Sequence, residues 1–151
     1  MNLIKQTNLT NKQFEKINQL WNQEYPINLN NRFPLLLNDC KVFSHYLFEN
    51  ENSEVIAWAV DFEKDNETHF SIIVDSNYKG KGLGKLLINQ IKDENVNFYG
   101  WVIDHNEDLK ENGEVYQSPI AFYLKQGFTI VPDCRLDTEM IKAVKIAWTN
   151  K

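Results

Sequence analysis

Cysteine is nearly absent: Cys40 and Cys134 are the only two in 151 residues. They stand at no metal-ligand spacing, and two thiols in a chain of this length do not make a disulfide framework. Long apolar runs are missing too. No stretch reaches membrane-spanning length, and Met1-Asn2-Leu3-Ile4-Lys5 lacks the apolar segment of a secretory leader. The expectation is a cytoplasmic chain with no membrane partner. Positive charge is not in excess: the net charge of −5 argues against nucleic acid as the main partner, because neutralising phosphates needs a basic surface. That acidic balance suits a cationic amine substrate, and suits an ordinary solvated surface equally well. Repeats and linkers are absent, and the many asparagines are scattered. Hydrophobic residues at 42% and charged residues at 25% are those of a soluble globular protein. Residues 1–151 therefore read as one domain able to bury a substantial core.

Glycine is scarce as well, yet three of the six fall at alternate positions, Gly80, Gly82 and Gly84. An apolar run ending at Val74 leads into them, and an amphipathic helix follows. Missing Cβ atoms let the backbone approach a ligand and adopt positive φ. The first turn of the helix offers unpaired N–H groups at the positive end of its dipole. With Lys79 and Lys81 beside it, the segment describes a phosphate cradle. It is not a P-loop, which needs four residues between its glycines and a hydroxyl after the lysine; here three separate Gly80 from Gly84, and Leu86 follows Lys85. An ATP-dependent kinase is disfavoured on that ground. A dinucleotide fingerprint fits poorly, because Gly84 comes only two positions after Gly82 and the loop lies in mid-chain.

Periodicity sets the remaining order. Residues 3–7 suit a short strand, and Thr10 an N-cap for a helix with Phe14, Ile17, Leu20 and Trp21 at helical spacing. Residues 24–40 read as irregular, interrupted by Pro26 and Pro34. Strand-like runs at 41–49, 55–63 and 67–74, separated by turn-rich segments, make an antiparallel meander. A helix over 82–95 carries Leu83, Leu86, Leu87 and Ile91 on one face, and 98–103 is a fifth strand. Residues 104–117 form a long polar loop, a kind that is often functional. Ser118 caps a short helix with Pro119 at its first position, Gly127 ends it, and strands follow at 128–131 and 138–148.

Two segments carry a family resemblance. Lys79-Gly80-Lys81-Gly82-Leu83-Gly84 resembles the acetyl-CoA loop of the GNAT superfamily of N-acetyltransferases, in which Arg or Gln is followed by two residues, Gly, one residue, and Gly or Ala. Ile120-Ala121-Phe122-Tyr123-Leu124-Lys125-Gln126-Gly127-Phe128 resembles the superfamily's late Phe/Leu-Tyr-Glu-Lys-Leu-Gly-Phe segment, with the usual upstream asparagine falling on Tyr116 and the usual alanine on Pro119. The resemblance covers most of the chain. It implies an α/β (α+β) fold: a mixed central sheet of about seven strands with flanking helices, its fourth and fifth strands splayed. It implies an acetyl-CoA-dependent N-acetyltransferase that moves an acetyl group to a primary amine by direct transfer in a ternary complex, with acetyl-CoA as co-substrate and no metal. The alternative is a GNAT-like acyl-CoA-binding or interaction module without turnover. A homodimer is compatible with either.

The same resemblance assigns residues. Ile72, Ile73 and Val74 would orient the pantetheine and the acetyl oxygen; Lys79, Gly80, Lys81, Gly82, Leu83, Gly84 and Lys85 would hold the phosphates; Phe122 and Tyr123 would complete the cofactor site. Tyr123 would also protonate the departing thiolate. The family's base position on the fourth strand falls on Thr68, which cannot accept a proton. Its neighbours Glu67 and His69 point to the opposite face by strand alternation. Asp104 and His105, just past the fifth strand, are the candidates preferred instead. His45 and Asp61 read as structural.

Overall fold

Local signals hold in place where they are strongest. In the structure, a computed structural model that describes residues 2–150, β1 (Leu3–Gln6) leads to α1 (Asn11–Glu24) through a capping box. The Thr10 hydroxyl accepts from Gln13 N–H at 3.1 Å, and the Gln13 side chain accepts from Thr10 N–H at 2.9 Å. The meander follows as β2 (Lys41–Glu49), β3 (Val55–Lys64) and β4 (Glu67–Val74). Lys64 pairs with Glu67, so the turn is only Asp65 and Asn66, both at positive φ. Two central residues with positive φ match the twist of a tight hairpin, and Asp and Asn tolerate it.

Departures from the sequence pattern have identifiable causes. The irregular stretch before β2 contains a 3-10 turn at Ile27–Leu29 and the one-turn α2 (Phe33–Leu36), with Pro34 inside its first turn, where a missing N–H costs nothing. In α3 (Leu83–Glu94) Leu86 is 52% exposed, and Ile88 joins Leu83, Leu87 and Ile91 on the buried face. At 100° per residue Leu86 falls off the side of the stripe that the other four define. β5 (Asn97–Ile103) is followed by a segment that is not featureless, since Leu109 and Val115 bridge across a tight turn. Pro119 is the N-cap of α4 (Ile120–Lys125), one residue later than expected, and the Ser118 hydroxyl accepts from Ile120 N–H. β6 (Thr129–Asp137) runs past Pro132 on the sheet edge, with its register broken between Val131 and Arg135. Pro is tolerated in an edge strand because it removes no ladder bond there. β7 (Lys142–Thr149) therefore begins later than the sequence suggested.

The strands form one mixed sheet in the order β1-β2-β3-β4-β5-β7-β6. Every neighbouring pair is antiparallel except β4 and β5, which are parallel and meet at one register pair, His69 with Tyr99. Past that pair the two strands have no ladder between them, and a splay opens toward their C-terminal ends. Alternating side chains divide the core in two. Ile17, Leu20, Trp21 and Phe33 pack on Leu47, Trp58, Val60 and Ile73 on one face; α3 and α4 pack on Ala57, Ala59, Phe70, Phe98 and Ile146 on the other. No helix among the described residues is long and apolar enough to cross a membrane.

Two buried polar groups inside this frame, Asp61 and His45, are satisfied. Asp61 accepts from Ser44 N–H, the Tyr46 hydroxyl and the Asn95 amide. Trp58 donates its indole N–H to His45 Nδ1 at 3.1 Å, and burial pushes the imidazole down to about 4, so it stays neutral. Both belong to the scaffold.

One close approach supports the site. Phe70 meets Phe98 and Tyr123 edge to face, with centroids at 5.4 and 5.6 Å, and Phe128 at 5.5 Å. The ring fits because Gly100 on β5 has no Cβ; one built there would lie 2.4 Å from Phe70 Cε1. Gly→Ala in an unobstructed strand is neutral or stabilising, whereas here it overpacks the cluster that seats Tyr123. Gly100→Ala should lower stability in urea denaturation by about 1–3 kcal/mol.

Candidate active site

The glycine segment begins at the end of β4. Asp75 accepts from Asn77 N–H with its side chain and starts a 3-10 turn at Ser76–Tyr78. Gly80 and Gly82 then take φ of +83° and +76°, and Gly82 is the N-cap of α3. Left-handed backbone at two positions two residues apart strongly favours glycine. The result is an uncommitted run of donors: none of the N–H groups of residues 80–85 has a hydrogen-bond acceptor among the described residues, and the first bond of the helix is Leu86 N–H to Gly82 C=O. A Cβ built at Gly80 or Gly82 meets nothing within 4 Å, so these glycines serve the backbone's shape and what approaches it, not packing. Lys79, Lys81 and Lys85 are exposed around the cradle. Donors, dipole and lysines together fit phosphate groups such as those of coenzyme A. Gly84 has another use, since Phe122 packs 3.4 Å from its missing Cβ and joins α4 to the first turn of α3.

The cradle opens into the splay. Asp75 N–H bonds Ile56 C=O on β3, and antiparallel ladders alternate. The backbone groups of Ile73 therefore face β3, while those of Ile72 and Val74 face the gap toward β5. Among Ile72, Ile73 and Val74, the first and last present free donors to the splay; Ile73 is buried in the core under α1. The Ile72 carbonyl is already taken by the Tyr25 hydroxyl, at 2.9 Å.

Tyr25 is one of three tyrosines that meet there. Its ring lies 6.1 Å from that of Tyr116, and both stand close enough to Tyr123 to disfavour its ionisation. Burial raises all three hydroxyls above their ordinary value, Tyr123 most plainly at 6% exposure, with its two neighbours adding to the effect. All three are protonated donors at neutral pH. Tyr123 carried a sequence signal. Tyr25 and Tyr116 did not as site residues, because one lies in an irregular stretch and the other in a polar loop.

Glu24, also unsignalled, lies beside them. It is 6% exposed and accepts from Ser76 N–H at 2.8 Å and the Gln23 amide at 2.7 Å. Burial works to raise its carboxyl, but those bonds with Lys110 beyond hold it below the usual carboxylate value.

The two residues preferred for proton removal are both engaged. Asp104 accepts twice from Arg135, at 2.8 and 3.3 Å, and the guanidinium holds its carboxyl below the ordinary value. His105 Nδ1 accepts from Glu107 N–H at 3.1 Å, and Nε2 lies 3.7 Å from Asp108. On β4, Glu67 pairs with Lys145 at 2.7 Å and His69 at 3.4 Å. These lie at the closed end of the splay, and Thr68 points to the other face.

A family model described as Acetyltransferase (GNAT) domain matches residues 42–130, which include both the cradle and Tyr123. No curated protein matches the sequence. Solved structures share the fold at low identity. The aminoglycoside 6'-N-acetyltransferase from Enterococcus faecium is 14% identical with a TM-score of 0.66, over 99% of this chain and 97% of that one. The ribosomal-protein-alanine N-acetyltransferase from Brucella melitensis is 15% identical with a TM-score of 0.63, over 97% and 99%. A GNAT superfamily phosphinothricin acetyltransferase from Sinorhizobium meliloti, solved in complex with AcCoA, is 14% identical with a TM-score of 0.61, over 99% and 89%. With its sheet order, its parallel splayed pair and its glycine cradle, the chain belongs to the GNAT acetyltransferase family.

Proposed function

We propose that residues 1–151 form one domain that transfers an acetyl group from acetyl-CoA to a primary amine, directly, in a ternary complex. One observation carries the reading: an unbroken run of free N–H donors at residues 80–85 opens into a splay where three protonated tyrosines meet. Acyl-CoA binding without turnover needs the donors but has no use for the hydroxyls. Neighbours named for an aminoglycoside and for a ribosomal-protein alanine support an amine acceptor and leave its size open.

Placement supports a division of labour. The N–H groups of residues 80–85, with Lys79, Lys81 and Lys85, hold the phosphates. The N–H groups of Ile72 and Val74 orient the arm and the acetyl oxygen; preorganised donors of this kind are worth about 3–4 kcal/mol in acyl transfer. Phe122 lines the cofactor side beside Gly84. When bound, acetyl-CoA supplies the activated acetyl as a thioester. Tyr123 donates to the departing sulfur. Its raised pKa keeps it protonated but makes it a weak acid toward a thiolate of pKa about 8.5, which places its contribution around or below the usual range of acid catalysis. The amine, at a pKa of about 10.4, is neutral in roughly one molecule in a few thousand at pH 7, so proton removal is a real part of the barrier. His105 is the better placed of the two preferred groups. Its contacts are one loop N–H and two longer approaches, to the Asp108 and Glu107 carboxylates at 3.7 and 4.0 Å, whereas Asp104 is bound by both arms of Arg135.

Three measurements check these roles. At a hundredfold excess over its dissociation constant, CoA should stabilise the parent by about 2.7 kcal/mol. Gly82→Val meets no protein atom but is strained at φ +76°, so it should fold with reduced stability and should lose that gain; binding equal to the parent's would remove the cradle from the site. Tyr123→Phe should lower kcat about 10- to 1,000-fold with CoA affinity unchanged, measured by free-thiol release over a panel of amines. No thiol release by the parent across the panel would favour the binding module. In kcat/KM against pH, the variant lacking the true base should lose the acidic limb and rise steadily as free amine accumulates. The expected variant is His105→Gln, with Asp104→Asn keeping the parent's shape.

A further inference from the structure

Glu24 touches both sides of the proposed site with one buried carboxylate. Its Oε2 holds Ser76 N–H, at the start of the turn that leads into the cradle. Its Oε1 is buried, makes no hydrogen bond among the described residues, and faces two lysines: Lys110 Nζ at 3.4 Å and Lys79 Nζ at 3.7 Å. The two differ in their freedom. Lys79 belongs to the cradle and its side chain is 59% exposed; Lys110 is 11% exposed and sits in the turn between Leu109 and Val115. That hairpin docks on the segment after α1 through Ile27 N–H to Leu109 C=O at 2.8 Å. It also carries Asp108, whose carbonyl accepts from Tyr116 N–H at 2.9 Å, so its position decides where Tyr116 stands.

We propose that Glu24 is a positioning residue that couples cofactor binding to the acceptor-side hairpin, by dividing Oε1 between Lys79 and Lys110. The proposal rests on residues 80–85 being the phosphate site. A phosphate in the cradle competes with Glu24 for Lys79, the mobile partner. Oε1 is then left to Lys110 alone, and the hairpin carrying Tyr116 is held more firmly. Linkage makes the effect reciprocal: without Lys110, Oε1 belongs to Lys79, and phosphate binding must take that lysine from a stronger partner.

The test uses the whole chain with CoA as the probe, reading amide hydrogen exchange and CoA affinity. In the parent, CoA should slow exchange at Lys110, Gly113 and Tyr116 about fivefold, the lower end of ordinary site-to-site coupling. Glu24→Gln keeps an oxygen for Ser76 N–H but releases both lysines. It should bind CoA about as much more tightly and lose the hairpin response. Lys110→Met should bind CoA more weakly by a similar factor. A mere prop under the Ser76 turn makes the opposite prediction for Glu24→Gln, namely weaker CoA binding with the hairpin response retained, and that result would overturn the coupling. So would CoA binding by the parent with unchanged hairpin amides. Failure of the parent to bind CoA at all would overturn the phosphate site itself, and the coupling with it.

Discussion

The point at which the ladder between β4 and β5 stops governs the whole site. Two parallel strands that stayed paired would consume the backbone groups of Ile72 and Val74. Because they meet only at His69 and Tyr99, those groups face a gap, and the gap lies directly beside the cradle at the start of α3. The strands on either side are held by unlike means. β4 is locked into the meander along its whole length, while β5 is held by β7 and by the aromatic cluster around Phe70. A wedge between two well-anchored strands keeps its shape without a ligand, and the polar groups in it are preorganised.

Charge is handled differently on the two sides of that wedge. The cradle spreads positive potential over many weak sources: six backbone N–H groups, a helix dipole and exposed lysines, each screened by solvent. Across from it the groups are few and buried. Glu24 sits between Lys79 and Lys110, and Tyr25 and Tyr116 add to the burial that raises the Tyr123 hydroxyl. In a low-dielectric setting such interactions are stronger and more specific. This arrangement suits loose capture of a polyanion on one side and close control of a proton on the other.

Elements written in local chemistry were legible from sequence. The Thr10 N-cap, the bounds of β2 and β4, the turn before β4 and the alternate glycines each depend on residues within a few positions. Errors arose where a distant partner decides. Pro132 hides β6, because only a sheet edge can tolerate proline there. Leu86 looks like a core residue until the neighbouring helix face is known to be the buried one. The hairpin inside residues 104–117 is pinned by Ile27, far away in the chain.

The sequence by itself determined the family, the fold and the position of the glycine loop that opens α3, because glycine spacing and helix start are properties of a continuous segment. It also marked Tyr123 for attention. Tertiary structure alone decided what surrounds that tyrosine. Tyr25, Tyr116 and Glu24 come from separate loops and helix ends that meet only once the sheet has formed, and no periodicity records such a meeting. The same is true of Asp104, whose sequence position says nothing of the Arg135 guanidinium that engages it. Local propensity acts over a few residues, whereas the basicity of a carboxylate or a hydroxyl is set by whatever the fold brings within a few ångströms.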